Sequence, residues 1–155
     1  MSELTRIISN VVIHRPVEQV FAFGTTPRYW PDWHPTAVSV HGAIDRPVTE
    51  GDEILEYERL AFLTGSISWR VRLAAAPARW IIDGVVNNVP FFHGTTTSIT
   101  YTLESVAAGT RLHRDMTYRV PNAFGRLLDH LYFSAHNARQ SQRAVEGMKR
   151  ILESI

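Results

Sequence analysis

Apolar residues come in short β-like runs through most of this chain and return to helical spacing near its end. The first run covers residues 4–14 and stops before Pro16, which predicts a strand. Pro16 then opens a stretch, residues 16–23, whose apolar positions recur at helical spacing, with proline in the first turn where its missing N–H costs nothing. Residues 26–35 hold three prolines and three large aromatic residues, and they predict a short helical turn or an ordered loop.

Six further β-like runs follow, separated by turn signals rich in glycine, proline and asparagine. Most of the separators are short enough for hairpins, so the runs predict an antiparallel meander. Alternation of apolar and polar residues is cleanest in the third and fifth runs. The six runs cover residues 37–44, 53–61, 66–76, 79–88, 94–104 and 110–120.

After Pro121 the spacing becomes helical again, and no proline interrupts it through Ile155. Asn122 is placed to cap the N-terminus, which predicts one helix of about 30 residues, roughly 45 Å long. At about 100° per residue, one face of this helix is apolar apart from Gln142. That face holds Phe124, Leu127, Leu128, Leu131, Ala135, Ala138, Val145 and Leu152.

The opposite face of the predicted helix is mostly charged and carries residues such as Asp129 and Arg143. Two apolar residues, Phe133 and Ile151, also fall on this outer face. Apolar residues on an outer face indicate a contact with another molecule. We therefore expect Phe133 and Ile151 to mark the interface of a homodimer.

A meander of this length must bury one face, and the C-terminal helix is the late element long enough to cover it. The predicted fold is α+β: a curved seven-stranded antiparallel sheet wrapped around the helix, as one domain over residues 1–155. A single helix about 10 Å wide does not fill a strongly curved sheet, and several inward positions are small or polar. The pattern therefore predicts a cavity lined by apolar and aromatic groups with a few polar ones.

Composition and charge narrow the range of partners. Sixteen Lys and Arg against fifteen Asp and Glu leave a net charge of +1, which is too small for nucleic-acid or anionic-membrane binding through the overall field. The chain has no cysteine, so disulfides, thiolate metal sites and cysteine nucleophiles are excluded. Its N-terminus lacks the pattern of a signal peptide and no apolar run is long enough to span a bilayer. We expect a soluble cytoplasmic protein without stable membrane insertion.

Five segments, taken in order, resemble the SRPBCC superfamily. They are residues 11–23, the run Trp30-Pro31-Asp32-Trp33-His34-Pro35, and residues 48–52, 109–112 and 148–153. The resemblance covers nearly the whole chain and implies the helix-grip fold of START domains, polyketide cyclase-like proteins and the birch-pollen allergen, with two short helices after the first strand. It does not choose among functions, because one cavity scaffold serves carriers, receptors and cyclases.

Arg114 is the leading candidate for site chemistry, because it shares the inward register of the last strand with Met116 and Tyr118. A guanidinium that faces a cavity needs a partner, since an unpaired buried charge is costly. The partner is either a carboxylate such as Glu56 or Glu58, or a carboxylate or enolate oxygen of a ligand. Otherwise the strand end is open and Arg114 reaches water or pairs structurally.

The other candidates are aromatic or polar residues expected on the cavity wall. Trp30 and Trp33 form a lip over the cavity, or else they pack the short helices onto the sheet. The histidines lack ligand spacing, so we predict no metal site and no cofactor. The predicted ligand contacts are Trp30, Trp33, Tyr57, Trp69, His93, Thr95, Thr97, Tyr101, Arg114, Met116, Tyr118, Leu128, Leu131, Ala135 and Gln142.

Two functions follow from these residues. The first is binding of a hydrophobic or amphipathic small molecule, such as a lipid, in the cavity. The alternative is a polyketide cyclase- or dehydratase-like enzyme acting on a poly-keto or aromatic substrate, with Arg114 stabilising an enolate and His93 or Tyr118 moving protons. Catalysis requires proton donors within about 3 Å of one reacting position, whereas a carrier needs only shape and one orienting contact.

Overall fold

A seven-stranded antiparallel sheet and a long C-terminal helix form most of the computed structural model, which describes residues 4–155. Residues 1–3, where the predicted domain begins, lie outside the described part. The elements in chain order are β1 (Thr5–Ile13), α1 (Val17–Thr25), a 3₁₀ turn (Pro27–Tyr29), α2 (Trp30–Trp33), β2 (Ala37–Gly42), β3 (Glu53–Leu60), β4 (Leu63–Ala75), β5 (Arg79–Asn87), β6 (Thr96–Val106), β7 (Gly109–Arg119), α3 (Ala123–Leu128), a π-helical turn (Asp129–Phe133) and α4 (Ser134–Glu153).

The strands pair in the order β1-β7-β6-β5-β4-β3-β2, so consecutive strands from β2 to β7 form hairpins and β1 closes on β7. Each predicted run lies within three residues of an observed strand at both ends. The antiparallel meander and the helix-grip fold are therefore confirmed. Alternation places one side of the sheet against the helices, and the buried apolar residues of β4 to β7 lie on that side.

The two short helices form where the prolines and aromatic residues predict them. α1 begins after Pro16 and packs Phe21 edge-on against Trp80, with ring centres 5.4 Å apart. The Nε1–H of Trp30 donates to the carbonyl of Gly24 at 3.0 Å, which fastens α2 to the end of α1. α1 and α2 together cover the edge of the hollow that the curved sheet leaves.

The C-terminal helix is 31 residues long and begins at the predicted cap, where Asn122 Oδ1 accepts from the N–H of Gly125 at 2.9 Å. Its predicted apolar face is right only in the C-terminal half, where Val145 and Leu152 are buried. In the N-terminal half the prediction is wrong. Five residues of the predicted apolar face are exposed to solvent: Phe124, Leu127, Leu131, Ala135 and Ala138.

The π-helical turn Asp129–Phe133 accounts for Phe124 and Leu127, because it holds one residue more than an α-turn and so rotates the residues before it by about 100°. Ala135 and Ala138 follow the turn, so the turn does not explain their exposure. Phe133 is 3% exposed and packs against Phe92 with ring centres 4.9 Å apart. Ile151 is partly buried against the core. The prediction that Phe133 and Ile151 lie on an outer face is therefore wrong, and the homodimer stays a prediction without that support.

α4 lies very close to α2 at one point. A Cβ atom at Gly147 would lie 2.5 Å from the carbonyl oxygen of Trp33, which is why the helix can approach the backbone of α2 here. Nearby, the ammonium of Lys149 donates to the carbonyl of Val12 at 2.7 Å and ties α4 to β1. No helix in residues 4–155 combines the length and the apolar character needed to cross a bilayer.

Candidate functional site

A hollow lies between the inner face of the sheet and the N-terminal half of the long helix. Its volume is about 90 Å³. This is below the roughly 300–1,000 Å³ of pockets for drug-sized ligands, so in this form the hollow fits only a small ligand. Most of its wall is apolar, and its aromatic residues are Trp30, Trp33, Trp69, Trp80, Phe92, Tyr101 and Tyr118.

Arg114 projects from β7 into this hollow and is only 2% exposed. Its Nη1 donates to the hydroxyl of Ser141 at 2.7 Å, and its Nε donates to the hydroxyl of Tyr101 at 3.1 Å. Among residues 4–155, no carboxylate pairs with it within 4.0 Å, and Glu56 is among those that do not. The guanidinium is thus a buried positive charge held by neutral hydrogen-bond partners.

His34 is one of those neutral partners. Arg114 Nη2 lies 3.3 Å from His34 Nε2. The backbone N–H of Thr36 donates to His34 Nδ1 at 3.3 Å, and the Thr36 hydroxyl lies 2.8 Å from the same nitrogen. The guanidinium and the backbone N–H can only donate, and a neutral ring with one proton accepts from only one of them. Burial, assisted by the charge of Arg114, lowers the pKa of His34 to about 3. The imidazole therefore stays neutral at physiological pH and acts as an acceptor.

Two glutamates occupy successive inward positions of β3. Glu56 is buried, and its Oε1 accepts from the Nε1–H of Trp69 at 3.2 Å. Burial raises the pKa of Glu56 to about 7, although Trp69 and the charge of Arg114 oppose the rise. Burial and the neighbouring Glu56 raise the pKa of Glu58 to about 8. At neutral pH the hollow thus holds one carboxyl that exchanges its proton and one that is mostly protonated.

Tyr118 and Asp129 form a pair at the end of the hollow near the π-helical turn. The hydroxyl of Tyr118 donates to both carboxylate oxygens of Asp129, at 2.8 and 3.0 Å. Burial raises the pKa of both groups, and the charge of Asp129 adds to the rise for Tyr118. The Tyr118 proton is therefore committed to Asp129, which weakens the predicted role of Tyr118 as a proton donor to a substrate.

Three buried polar atoms on the wall have no hydrogen-bond partner among the described residues: Trp33 Nε1, Thr95 Oγ1 and Gln140 Oε1. Trp33 is 4% and Thr95 is 5% exposed. A desolvated donor or acceptor is costly unless it is paired, so these atoms are available to polar groups inside the hollow. Together they offer one N–H donor, one hydroxyl and one carbonyl acceptor.

The structure brings most of the predicted site residues together at the hollow. Trp30 and Trp33 are buried and pack α2 onto the fold, as the packing alternative expects, and they also line the hollow; a lip over the cavity stays a prediction. Their role as ligand contacts stays a prediction. The predicted residues that line the hollow are Trp30, Trp33, Trp69, Thr95, Thr97, Tyr101, Arg114, Met116 and Tyr118.

Three other predicted residues lie elsewhere because of their strand parity or their hydrogen bonds. Tyr57 points to the outer face of β3, is half exposed, and meets His41 edge-on. His93 is exposed, and its Nδ1 accepts from the N–H of Asn88 at 3.0 Å. Gln142 donates to the carbonyl of Asn10 at 3.1 Å, outside the hollow. The expectation that these three face the hollow is wrong.

Leu128, Leu131 and Ala135 also do not line the hollow, and for Leu128, which precedes the π-helical turn, the cause is the shift in helix phase. Leu131 and Ala135 are exposed, and Leu128 packs at the side of the core. The helix instead turns polar residues inward, and this is the part of the site that the sequence pattern missed. They are Asp129, Asn137, Gln140 and Ser141.

Two sequence signals point to residues that were missed. Glu56 and Glu58 share their strand parity with Ile54 and Leu60, which places all four on the inner face of β3. Gln140 and Ser141 lie three or four residues before buried residues of α4, at helical spacing. His34 has no comparable periodic signal, since it lies between α2 and β2. No group of three or more His, Asp or Glu residues within 4–155 is arranged to hold a metal ion.

A curved sheet gripping one helix, with a hollow of mixed apolar and polar lining between them, defines a helix-grip cavity protein. The chain matches the family described as polyketide cyclase / dehydrase and lipid transport over residues 5–153, and it belongs to that family. No protein with a curated description matches the chain.

Solved structures share the fold at low sequence identity. An uncharacterised protein from Rhizobium leguminosarum superimposes with a TM-score of 0.72 at 13% identity, covering 100% of this chain and 98% of the other. A protein from Rhodobacter sphaeroides gives 0.67 at 21% identity and covers 99% of each chain. Ara h 8.0201 gives 0.73 at 11% identity, covering 99% of this chain and 100% of the other. These likenesses show the fold alone.

Proposed function

We propose that this protein binds a small amphipathic molecule in the hollow between the sheet and the long helix. The observation that carries the proposal is the set of three buried, unpartnered polar atoms, on Trp33, Thr95 and Gln140, in an otherwise largely apolar wall of the described chain. An apolar pocket with a few convergent polar groups is the usual form of a small-molecule site. The family description, which names polyketide cyclisation and lipid transport, supports the same class of ligand.

The charge of the wall indicates which end of the ligand is polar. Arg114 supplies the buried positive charge, and its present partners Tyr101, Ser141 and His34 are all neutral. An oxygen with negative charge, such as a carboxylate or an enolate, would pair with it. The aromatic residues around it suit a ring or a short apolar body. A long lipid or poly-keto chain exceeds the present volume and would need the hollow to widen.

Matched ligands test this proposal. Native mass spectrometry of gently purified protein should show a co-purified small molecule, and calorimetry with benzoate, benzamide and ethylbenzene separates charge from shape. We expect benzoate to bind more tightly than benzamide, and Arg114→Met to abolish that preference. Arg111→Met, an exposed arginine of the same strand, should leave the preference unchanged. Absence of any co-purified molecule together with no binding of all three probes would contradict the proposal.

A second candidate function is proton-transfer catalysis of the cyclase or dehydratase type, and the position of Glu56 favours it. A carboxyl whose pKa is about 7 can give and take a proton at neutral pH, and Arg114 in the same hollow can stabilise an enolate. His93, predicted for this role, lies outside the hollow and is replaced by Glu56 in the proposal.

Enolisation of a small ketone tests the second function. Exchange of the methyl protons of acetophenone in deuterium oxide, followed by NMR, should be faster with the protein present. Glu56→Gln should remove the acceleration while benzoate still binds, whereas Glu53→Gln, exposed on the same strand, should leave it unchanged. If exchange with the protein equals exchange in buffer, the protein is a binding module and not this kind of enzyme.

We also propose that the protein is cytoplasmic, that it binds no nucleic acid and that it forms a homodimer. The absence of cysteine suits a cytoplasmic protein, and the near-zero net charge supports the expectation that no nucleic acid binds. The homodimer can be tested by light scattering after size-exclusion chromatography.

A further inference from the structure

One end of the molecule carries a cluster of exposed apolar side chains, which we call the apolar rim. Phe62, at the turn between β3 and β4, is 80% exposed, and Leu131 on the long helix is 70% exposed. The six apolar residues of the rim are each between 47% and 80% exposed, and clusters of exposed apolar residues on a protein mark interaction sites. The rim consists of Phe62, Phe91, Phe124, Leu127, Leu131 and Tyr132.

Contacts between rings join the rim into one surface. Phe91, in the loop between β5 and β6, meets Phe124 edge-on with ring centres 5.0 Å apart. Phe62 and Tyr132 each lie beside the buried ring of Phe133, at 6.1 and 5.0 Å. The rim is therefore built from two loop tips and the start of the long helix.

The chain segments that carry the rim are basic. The three segments that carry it are residues 59–65, 88–95 and 119–143. Their acidic residues are limited to Asp129, which is buried in the hollow. Across the whole chain, by contrast, acidic and basic residues nearly balance. The basic residues of the same segments are Arg59, Arg119, Arg126, Arg139 and Arg143.

We propose that the apolar rim docks this protein on the surface of an anionic lipid bilayer, with Phe62 and Leu131 inserted below the headgroups and the surrounding arginines on the lipid phosphates. Protruding aromatic and leucine side chains beside basic residues are the features that bind proteins to a membrane interface without spanning it. A second copy packed rim to rim would bring the arginines of both copies together.

The rim lies close to one end of the hollow. Phe133 lies directly beneath the rim and contacts Phe92, which is part of the wall of the hollow. Docking through the rim would therefore bring the π-helical turn and this end of the hollow next to the bilayer. The docking proposal stands on exposure and charge and does not depend on what the hollow binds.

Vesicle co-sedimentation tests the proposal with the full chain. The protein should sediment with phosphatidylcholine vesicles that contain phosphatidylserine, and less with phosphatidylcholine alone. The double variant Phe62→Ser/Leu131→Ser should lower the partition coefficient at least about tenfold. The control Val38→Ser/Val85→Ser removes exposed apolar residues elsewhere on the sheet and should leave binding unchanged. Equal binding of the two double variants, or no binding of the natural chain to either vesicle, would overturn the proposal.

A tryptophan at the rim gives an independent measurement. In Phe62→Trp the new indole should shift its emission to the blue with anionic vesicles and be quenched by lipids brominated on their acyl chains. The four natural tryptophans are all buried, so they contribute little to the change. Val38→Trp should show neither effect. If light scattering instead shows a dimer that Phe62→Ser/Leu131→Ser dissociates, the rim is an interface between copies and the bilayer proposal is wrong.

Discussion

The hydroxyl of Ser141 accepts a hydrogen bond of 2.7 Å from the guanidinium of Arg114, and both side chains are almost fully buried. This bond joins α4 to β7 through the hollow, where few other contacts link the helix to that strand. A charged donor makes it stronger than a neutral hydrogen bond. The same bond fixes which way the guanidinium faces, so it determines the position of the site's positive charge.

Ser141→Ala should therefore destabilise the fold. The variant leaves Nη1 of Arg114 with only the weak acceptor Met116 Sδ at 3.8 Å, and we expect a loss of about 1–3 kcal/mol in the free energy of unfolding. Ser134→Ala in the same helix is the matched control. It makes the same gain in helix propensity, but the Ser134 hydroxyl forms no hydrogen bond within residues 4–155. Urea denaturation measures both, and equal stabilities would show that the bond contributes nothing net.

The two glutamates of β3 should make stability depend on pH. Their pKa values, about 7 for Glu56 and about 8 for Glu58, lie above the ordinary 4.5. Between pH 4.5 and pH 8 the folded state therefore binds more protons than the unfolded state. Stability then falls as pH rises through this range. His34, with its pKa lowered from 6.5 to about 3, acts in the opposite sense but only below pH 6.5. The glutamates are thus isolated above pH 6.5.

We expect the free energy of unfolding to fall by about 1–2 kcal/mol between pH 6.5 and pH 8. The variant Glu56→Gln/Glu58→Gln should flatten this dependence, while Glu53→Gln should keep it. Urea titrations at the two pH values give the answer. A natural chain whose stability is constant or rises over this interval would show that neither glutamate holds its proton in the folded state.

The pair Tyr118 and Asp129 should show strong energetic coupling. Tyr118→Phe leaves a buried carboxyl without its donor, and Asp129→Leu leaves a buried hydroxyl without its acceptor. The double variant removes both polar groups, so it should be no less stable than the worse single variant. A double-mutant cycle in urea should give a coupling of about 1–2 kcal/mol. Additive losses would mean that neighbouring groups such as Asn137 replace the missing partner.

Gly84 should be sensitive to the smallest side chain. A Cβ atom there would lie 2.6 Å from the ring atom Cε3 of Trp69, which lies across the glycine. Gly84→Ala should displace the indole and cost about 1–3 kcal/mol, with a change in the near-ultraviolet circular dichroism. Trp69→Phe reduces the clash with the indole but leaves Ile67 Cγ2, 2.7 Å from the Cβ position, so combining the two substitutions should recover only part of the loss. Simple addition of the two losses would place the strain elsewhere.

Strand pattern predicted the sheet well because alternation is a local property of a half-buried strand. Trp69, Tyr101 and Arg114 all lie on the inner face that their parity indicated. Tyr57 shows the limit of the approach, since the preference for an aromatic residue as a ligand contact conflicts with its parity on β3. The parity of Glu56 and Glu58 was the better guide, although two acids at alternate positions look like a solvent-facing pattern.

The long helix shows what a regular period cannot predict. A π-helical turn adds one residue without any strong mark in the sequence, and every residue before it changes face. Asp129 and Phe133 are therefore buried, whereas the helical period predicted that Leu128 and Leu131 would face the core. The error was reinforced by Leu127 and Leu131, because an apolar stripe on a helix normally predicts burial. Here that stripe belongs to an exposed surface.

Gly147, which approaches α2 closely, lies in the C-terminal half of α4. This half packs into the core, whereas the half before it borders the hollow. The side chains of Ala144 and Met148 on this half are fully buried and line no part of the hollow. Ser141 is the last residue of α4 that lines the hollow. The packed half can therefore take stabilising substitutions without reshaping the binding space. Changes in the hollow half, such as Ser141→Ala, alter the binding space and the stability together. Stability can therefore be raised in this protein without changing recognition, whereas recognition cannot be changed without affecting stability.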